Sequence, residues 1–142
     1  MFRNICVGLA FLLGVGALAN GLFMLLSPQN WYFAVPGVTT TGPFNQHFLR
    51  DIGLIFLLMS VALFVGVAKP QYRVVCWGAA ALWESGHALF HFWEVAVGIC
   101  GPSALVRDFA AVTLPAILCI LLTLRAIADA RVRIAPSLSR MT

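Results

Sequence analysis

The sequence predicts an all-α integral membrane protein, built as a bundle of four transmembrane helices. Two observations lead to this prediction. Of the 142 residues, 61% are hydrophobic and only 10% are charged, which is too little polar surface for a soluble domain of this length. In addition, four apolar runs of about one bilayer thickness each are separated by shorter polar stretches. A chain this short is expected to form a single domain, residues 1–142.

The helices are predicted at about residues 5–26, 47–68, 72–98 and 104–128. The first run contains Ala17-Leu18-Ala19, which resembles the cleavage site of a signal peptide. Its apolar character continues beyond that site to Leu26, so we interpret the run as the first membrane helix.

The loop of residues 27–46 and Pro115 interrupt the regular apolar pattern. Residues 27–46 form an outer loop rich in Pro and Gly, and its Trp31 is of a type favoured at headgroup level. Pro115 has no N–H to donate, so it is expected to kink the fourth helix and to free a carbonyl one turn earlier.

The arrangement of basic residues predicts the orientation. Seven of the nine Lys and Arg residues lie at the two ends of the chain or in the 69–73 turn. The other two, Arg50 and Arg107, follow the opposite loops. By the positive-inside rule both termini are expected in the cytoplasm, in a multi-pass protein of the cell membrane, with the bacterial inner membrane as the expected location. The seven are Arg3, Lys69, Arg73, Arg125, Arg131, Arg133 and Arg140.

A polar stripe interrupts the third predicted helix. Glu84, His87, His91 and Glu94 are spaced by three, four and three residues, so they share one helical face. Ionisable residues in a membrane helix usually face the protein interior and mark a functional site. The chain has only three histidines, and two of them lie in this stripe.

The stripe predicts a metal site that opens toward the outer, periplasmic side. Two imidazoles on one helical face, with carboxylates three residues away, are typical of zinc and iron sites. At about 1.5 Å per residue, His47 and Asp51 of the second helix should lie level with His91. The predicted ligands are His47, Asp51, His87, His91 and Glu94. Zinc and iron rank ahead of copper, and a haem held by His47 or His91 is an alternative.

The same stripe suggests catalysis. Glu84 should lie near the middle of the membrane, where an ionised carboxylate is costly, so it is expected to be protonated, paired with His87 or bound to a metal. We therefore predict Glu84 and His87 as catalytic residues of an isomerase or hydrolase that acts on a small apolar or lipid-like substrate. The simpler structural alternatives are a capping role for His47 and ion pairs for Asp51 with Arg50 and for Glu94 with Arg107.

A different class of function remains open. The protein would then be a non-catalytic accessory subunit of a membrane redox or transport complex, with the polar stripe paired internally or with a partner's groups. Besides the lipid bilayer, the expected partners are this larger complex or further copies of the chain. A nucleic-acid partner is not expected, because the arginines do not alternate with stacking aromatics on a polar face.

The start of the second helix resembles a known family. The stretch Phe44-Asn45-Gln46-His47-Phe48-Leu49-Arg50-Asp51-Ile52-Gly53-Leu54 is similar to the corresponding part of small four-helix bacterial membrane proteins of the DoxX-like kind. The resemblance covers residues 45–54, the chain length and the topology. It implies the four-helix fold and leaves the function open, since many of these proteins have no assigned activity and some are small subunits of quinone-linked oxidoreductase complexes.

Overall fold

The computed structural model describes residues 2–138, with side chains for residues 4–132. The side chains of Arg3, Arg133 and Arg140, which entered the topology prediction, lie outside the described residues. The described residues contain no β-strand, as predicted. The helices are α1 (Phe2–Leu26), α2 (Pro28–Ala34), α3 (Gln46–Ala68), α4 (Arg73–Ala96), α5 (Ser103–Asp108) and α6 (Leu114–Leu138), and a π-helical turn, Phe109–Thr113, joins α5 to α6.

Three segments are long and apolar enough to cross a membrane. They are Asn4–Leu26, Gln46–Ala68 and Ser103–Val132. The predicted membrane character is confirmed to this extent. The 24 residues of α4 span about 36 Å at 1.5 Å per residue, so this helix is long enough as well. It carries the polar stripe, which makes it less apolar than the other three.

The long helices form two hairpins. In the first hairpin α1 packs along α3, and in the second α4 packs along α6, while α3 also contacts α4. The backbones of α1 and α3 approach each other closely at Gly21 and Gly53. A Cβ atom on Gly21 would lie 2.8 Å from the Gly53 carbonyl oxygen, so only small residues allow the two backbones to come this near.

One buried cluster holds the two hairpins together in the half of the molecule that contains the 69–73 turn, here called the turn half. It combines Ala17 of α1, Leu63 of α3, Trp77 of α4 and Cys119 of α6. Trp77 is 1% exposed, and its Nε1–H donates to the Leu63 carbonyl at 3.3 Å. Its indole lies directly against Gly66, where a Cβ atom would overlap the ring.

The opposite half contains residues 27–45 and is here called the loop half. Its buried clusters stay within single hairpins. Met24, Tyr32 and Leu49 pack together in the first hairpin, whereas Ala88, Val112 and Ala116 pack together in the second. Among the residues with described side chains, 4–132, a common buried core therefore joins the two hairpins in the turn half only. His87 and His91 lie beside Ala88 in the loop half.

Residues 27–45 fold back onto the loop half. Pro28 occupies the first turn of α2, where its missing N–H has no cost. The Trp31 Nε1–H donates to the Asn20 Oδ1 of α1 at 2.8 Å, and the Tyr32 hydroxyl donates to the Gly42 carbonyl at 2.7 Å. Asn45 then caps α3 by accepting the Phe48 N–H at 3.1 Å. The predicted loop is an ordered layer over one end of the bundle.

Candidate functional site

A row of aromatic rings runs along α4 in the loop half. The rings of His87 and His91 lie 4.7 Å apart, measured between centroids, and meet edge to face. The Trp83 ring lies 6.2 Å from His87 at an interplanar angle of 7°. One helical turn separates each ring from the next, so the spacing of the three residues alone produces this row.

Asp108, at the end of α5, completes the site. Its Oδ2 lies 3.1 Å from the Nδ1 of His91. Arg107 holds the same carboxylate through two bonds, from Nε to Oδ1 at 2.6 Å and from Nη2 to Oδ2 at 3.0 Å. A carboxylate accepts hydrogen bonds, so this network assigns the proton of His91 to Nδ1 and leaves Nε2 with a free lone pair. We call His87, His91 and Asp108 the histidine–aspartate site.

The π-helical turn helps to bring Asp108 to α4. The residues Ala104, Asp108, Val112 and Ala116 are all buried or mostly buried. Over these 12 positions a regular α-helix would rotate by about 120° beyond three full turns, at about 100° per residue. The wider π turn takes up this rotation. Pro115 contributes because it cannot donate to a carbonyl one turn earlier, and the preceding Leu114 N–H bonds to the Phe109 carbonyl instead.

Two buried carboxylates flank the histidines. Glu84 is 5% exposed and Glu94 is 7% exposed. Within the described part of the chain, neither carboxylate makes a side-chain hydrogen bond or an ion pair, so the suggested pairs of Glu84 with His87 and of Glu94 with Arg107 are not formed. Cys119 of α6 lies near Glu84. Buried carboxylates without a partner are costly when ionised. Their burial places both residues on the interior side of the stripe.

His47 and Asp51 face away from the bundle. Their side chains are 90% and 54% exposed, and His47 Nε2 lies 3.4 Å from Asp51 Oδ2 within the same helix. The exposed row continues along α3 through Leu54 and Leu58. The structure thus pairs these two predicted ligands with each other and does not bring them to the histidines of α4.

Metal coordination has limited support in this geometry. Among residues 4–132, no group of three or more His, Cys, Asp and Glu side chains is arranged to hold a metal ion. Of the five predicted ligands, His87 and His91 are neighbours, Glu94 is buried on the same helix, and His47 and Asp51 lie on the outer face of α3. The zinc, iron, copper and haem assignments remain predictions.

A small recess adjoins the histidine–aspartate site. It is lined by His91, Asp108 and Thr113 together with apolar residues of α4 and α5, and its volume is about 10 Å³. A cavity of this size holds about one water molecule. The polar groups around it are those that would orient such a water.

Sequence reasoning did not find the partner of His91. Arg107 was considered as a partner for Glu94, and Asp108 was not among the predicted site residues, whereas in the structure Asp108 pairs with His91 and Arg107 holds Asp108. The available signal was their position. The 101–103 turn is short, so the first turn of the next helix must lie beside the last turns of α4.

Comparisons with known proteins identify no relatives. No protein-family model matches the chain, and neither the curated proteins nor the solved structures contain a significant match. The resemblance of residues 45–54 to DoxX-like proteins therefore stays a prediction, and the functional proposal has to come from the histidine–aspartate site.

Proposed function

We propose that this chain is a small multi-pass membrane protein whose histidine–aspartate site performs acid/base chemistry on a small apolar or lipid-like substrate. One observation carries the proposal, the contact of 3.1 Å between His91 Nδ1 and Asp108 Oδ2. A carboxylate that fixes one nitrogen of an imidazole orients the ring and leaves the other nitrogen as a base. The same arrangement activates histidine in many unrelated enzymes.

Each residue then has a distinct role. His91 Nε2 accepts a proton from the substrate or from a water molecule in the neighbouring recess. Asp108 stabilises the imidazolium that forms, and Arg107 holds Asp108 in place. His87, one turn deeper, and Glu84, three residues before it, are placed to return the proton at a second position. Isomerisation would move one proton along the substrate, and hydrolysis would add the elements of water across one bond.

The proposed topology has four passes with both termini in the cytoplasm. Support comes from the length of α4, from the distribution of basic residues and from the inward position of Glu84 and Glu94. A helix with a polar stripe can cross a bilayer when the stripe is shielded by its neighbours. In this orientation the histidine–aspartate site lies toward the outer side of the membrane.

Isotope labelling tests the proposed chemistry without a known substrate. Proteoliposomes prepared from a total bacterial lipid extract are incubated in D₂O or in H₂¹⁸O, and the lipids are analysed by mass spectrometry. Isomerisation leaves deuterium on carbon, and hydrolysis leaves ¹⁸O in the product. Label should appear with the wild type and should be absent with His91→Gln. Equal labelling with both proteins, or labelling with neither, contradicts the proposal.

A metal ion is a second candidate, favoured by the same contact. Histidines that bind metals usually donate their other ring N–H to a carboxylate, as His91 does to Asp108. His91 Nε2 and His87 would then be two ligands, at about 2.0–2.1 Å for zinc. Elemental analysis of the purified protein should find near-stoichiometric metal that is lost in a His87→Ala/His91→Ala variant. Unchanged, substoichiometric metal in both proteins excludes this candidate.

A further inference from the structure

Arg107 touches more than Asp108. Its guanidinium also lies directly against Gly37, in the loop between α2 and α3. A Cβ atom on Gly37 would overlap the guanidinium, and Gly37 has a φ of +89°, a conformation that other residues rarely adopt. The backbone conformation favours glycine at this position, and a larger residue would also have to displace the Arg107 guanidinium from the loop.

The Arg107–Gly37 contact connects the two hairpins where they share no buried core. Gly37 belongs to the loop of the first hairpin, and Arg107 lies on α5 ahead of the second helix of the other hairpin. In the loop half, the described buried clusters each stay within one hairpin. The contact crosses from one to the other next to Asp108 and His91.

We propose that the Arg107–Gly37 contact is a gate that closes the loop half of the molecule over His87 and His91. The contact is formed in this structure, which corresponds to the closed form in this proposal. When the loop moves off Arg107, the ends of the two hairpins can separate while the shared core in the turn half keeps them together. The gate depends on the proposed function in one respect, because it takes His87 and His91 as the groups that a substrate must reach.

The composition of the contact suits reversible opening. The Arg107 side chain is 35% exposed, and its described side-chain hydrogen bonds go to Asp108 and Cys100, both within its own hairpin. The planar guanidinium of Arg107 packs against Gly37 of the loop. Contacts of this kind, at the exposed end of a bundle, belong to the least stable part of a fold and open before the core does.

Histidine modification measures the gate directly. The full-length protein in detergent micelles is treated with diethylpyrocarbonate, and the rate at each histidine is followed by peptide mass spectrometry. His87 is the reporter, because it lies inside the site and does not touch Asp108 or Arg107. His47, at 90% exposure, is the internal reference, since it should react at the same rate in every variant.

Glycine variants isolate the contact. Gly37→Ala displaces the guanidinium from the loop but keeps the Arg107 charge, so Arg107 can still pair with Asp108. Gly98→Ala is the matched control, because Gly98 has a φ of +81° but no atom within 4 Å of the added Cβ. Gly42→Ala, in the same loop and also without a neighbour, is a second control. Among the three glycine variants, we expect only Gly37→Ala to accelerate the modification of His87. The expected increase is about fivefold or more, which corresponds to the loss of about 1 kcal/mol of contact energy.

An arginine variant separates the gate from its alternatives. Arg107→Gln should accelerate His87 modification as Gly37→Ala does. If only Arg107→Gln has this effect, Arg107 acts through Asp108 and the gate is refuted. Equal acceleration by Gly98→Ala also refutes it, because backbone strain would then explain the result. The rates are measured without substrate, so absence of isotope labelling by the wild type would leave this outcome unaffected.

Discussion

The crossing of α1 and α3 makes a quantitative prediction for Gly21→Ala. The added Cβ atom would lie 2.8 Å from the Gly53 carbonyl oxygen, whereas an ordinary contact begins at 3.4 Å. The obstacle is backbone, so the two helices must separate by the difference, about 0.6 Å. A gap of about 0.5–1 Å forfeits a quarter to a half of the dispersion attraction between the atoms involved.

The expected cost follows from opposing effects. Overpacking of this kind costs about 1–3 kcal/mol, and the better helix propensity of alanine returns about 0.5–1 kcal/mol. The midpoints of these ranges leave a net loss of about 1 kcal/mol, which corresponds to a fall in Tm of about 3–5 °C for a chain of this length. Gly16→Ala, in the same helix, has no atom within 4 Å of its Cβ and should leave Tm unchanged or slightly raised.

Thermal unfolding in detergent, followed by far-UV circular dichroism, distinguishes the two glycine variants. The refuting result is a Gly21→Ala protein that is as stable as Gly16→Ala. It would mean that α1 and α3 do not approach as closely as described.

Two further substitutions test how the ends of the bundle are held. Gly66→Ala places a methyl group against the Trp77 indole and should lower stability by about 1–3 kcal/mol, whereas Gly78→Ala, whose nearest neighbour lies at 3.6 Å, should be neutral in the same thermal scan. Trp31→Phe removes a hydrogen bond worth about 0.5–1.5 kcal/mol, so amide exchange in residues 28–45 should accelerate. Trp93→Phe, at an exposed position, is the control. Equal exchange rates in the two variants would contradict the anchoring role of Trp31.

The sequence was sufficient for those features that depend on local pattern. The apolar runs predicted the long helices, and the spacing of Glu84, His87, His91 and Glu94 placed all four on the inner side or flank of α4. Pro115 predicted a kink and a freed carbonyl one turn earlier, and the structure has a π-helical turn, Phe109–Thr113, just before this proline. Each of these follows from one helix considered alone.

The placement of His47 shows what local pattern cannot supply. Counting residues gave its level along the bundle but not its direction around α3. That direction is set by Gly53, which packs against α1. His47 precedes Gly53 by six residues, so at about 100° per residue it lies about 120° away around the helix and faces outward. The pairing of Asp108 with His91 was missed for a related reason, since it depends on how α5 meets α4.

The protonation state of His91 tests the central claim most directly. Protein with ¹⁵N-labelled histidine, in detergent or lipid, reports by NMR which ring nitrogen carries the proton. Our account predicts that neutral His91 is protonated at Nδ1, and that Asp108→Asn weakens or abolishes this preference while exposed His47 is unaffected. A His91 protonated at Nε2, or one unchanged by Asp108→Asn, would contradict the His91–Asp108 contact on which the proposed function rests.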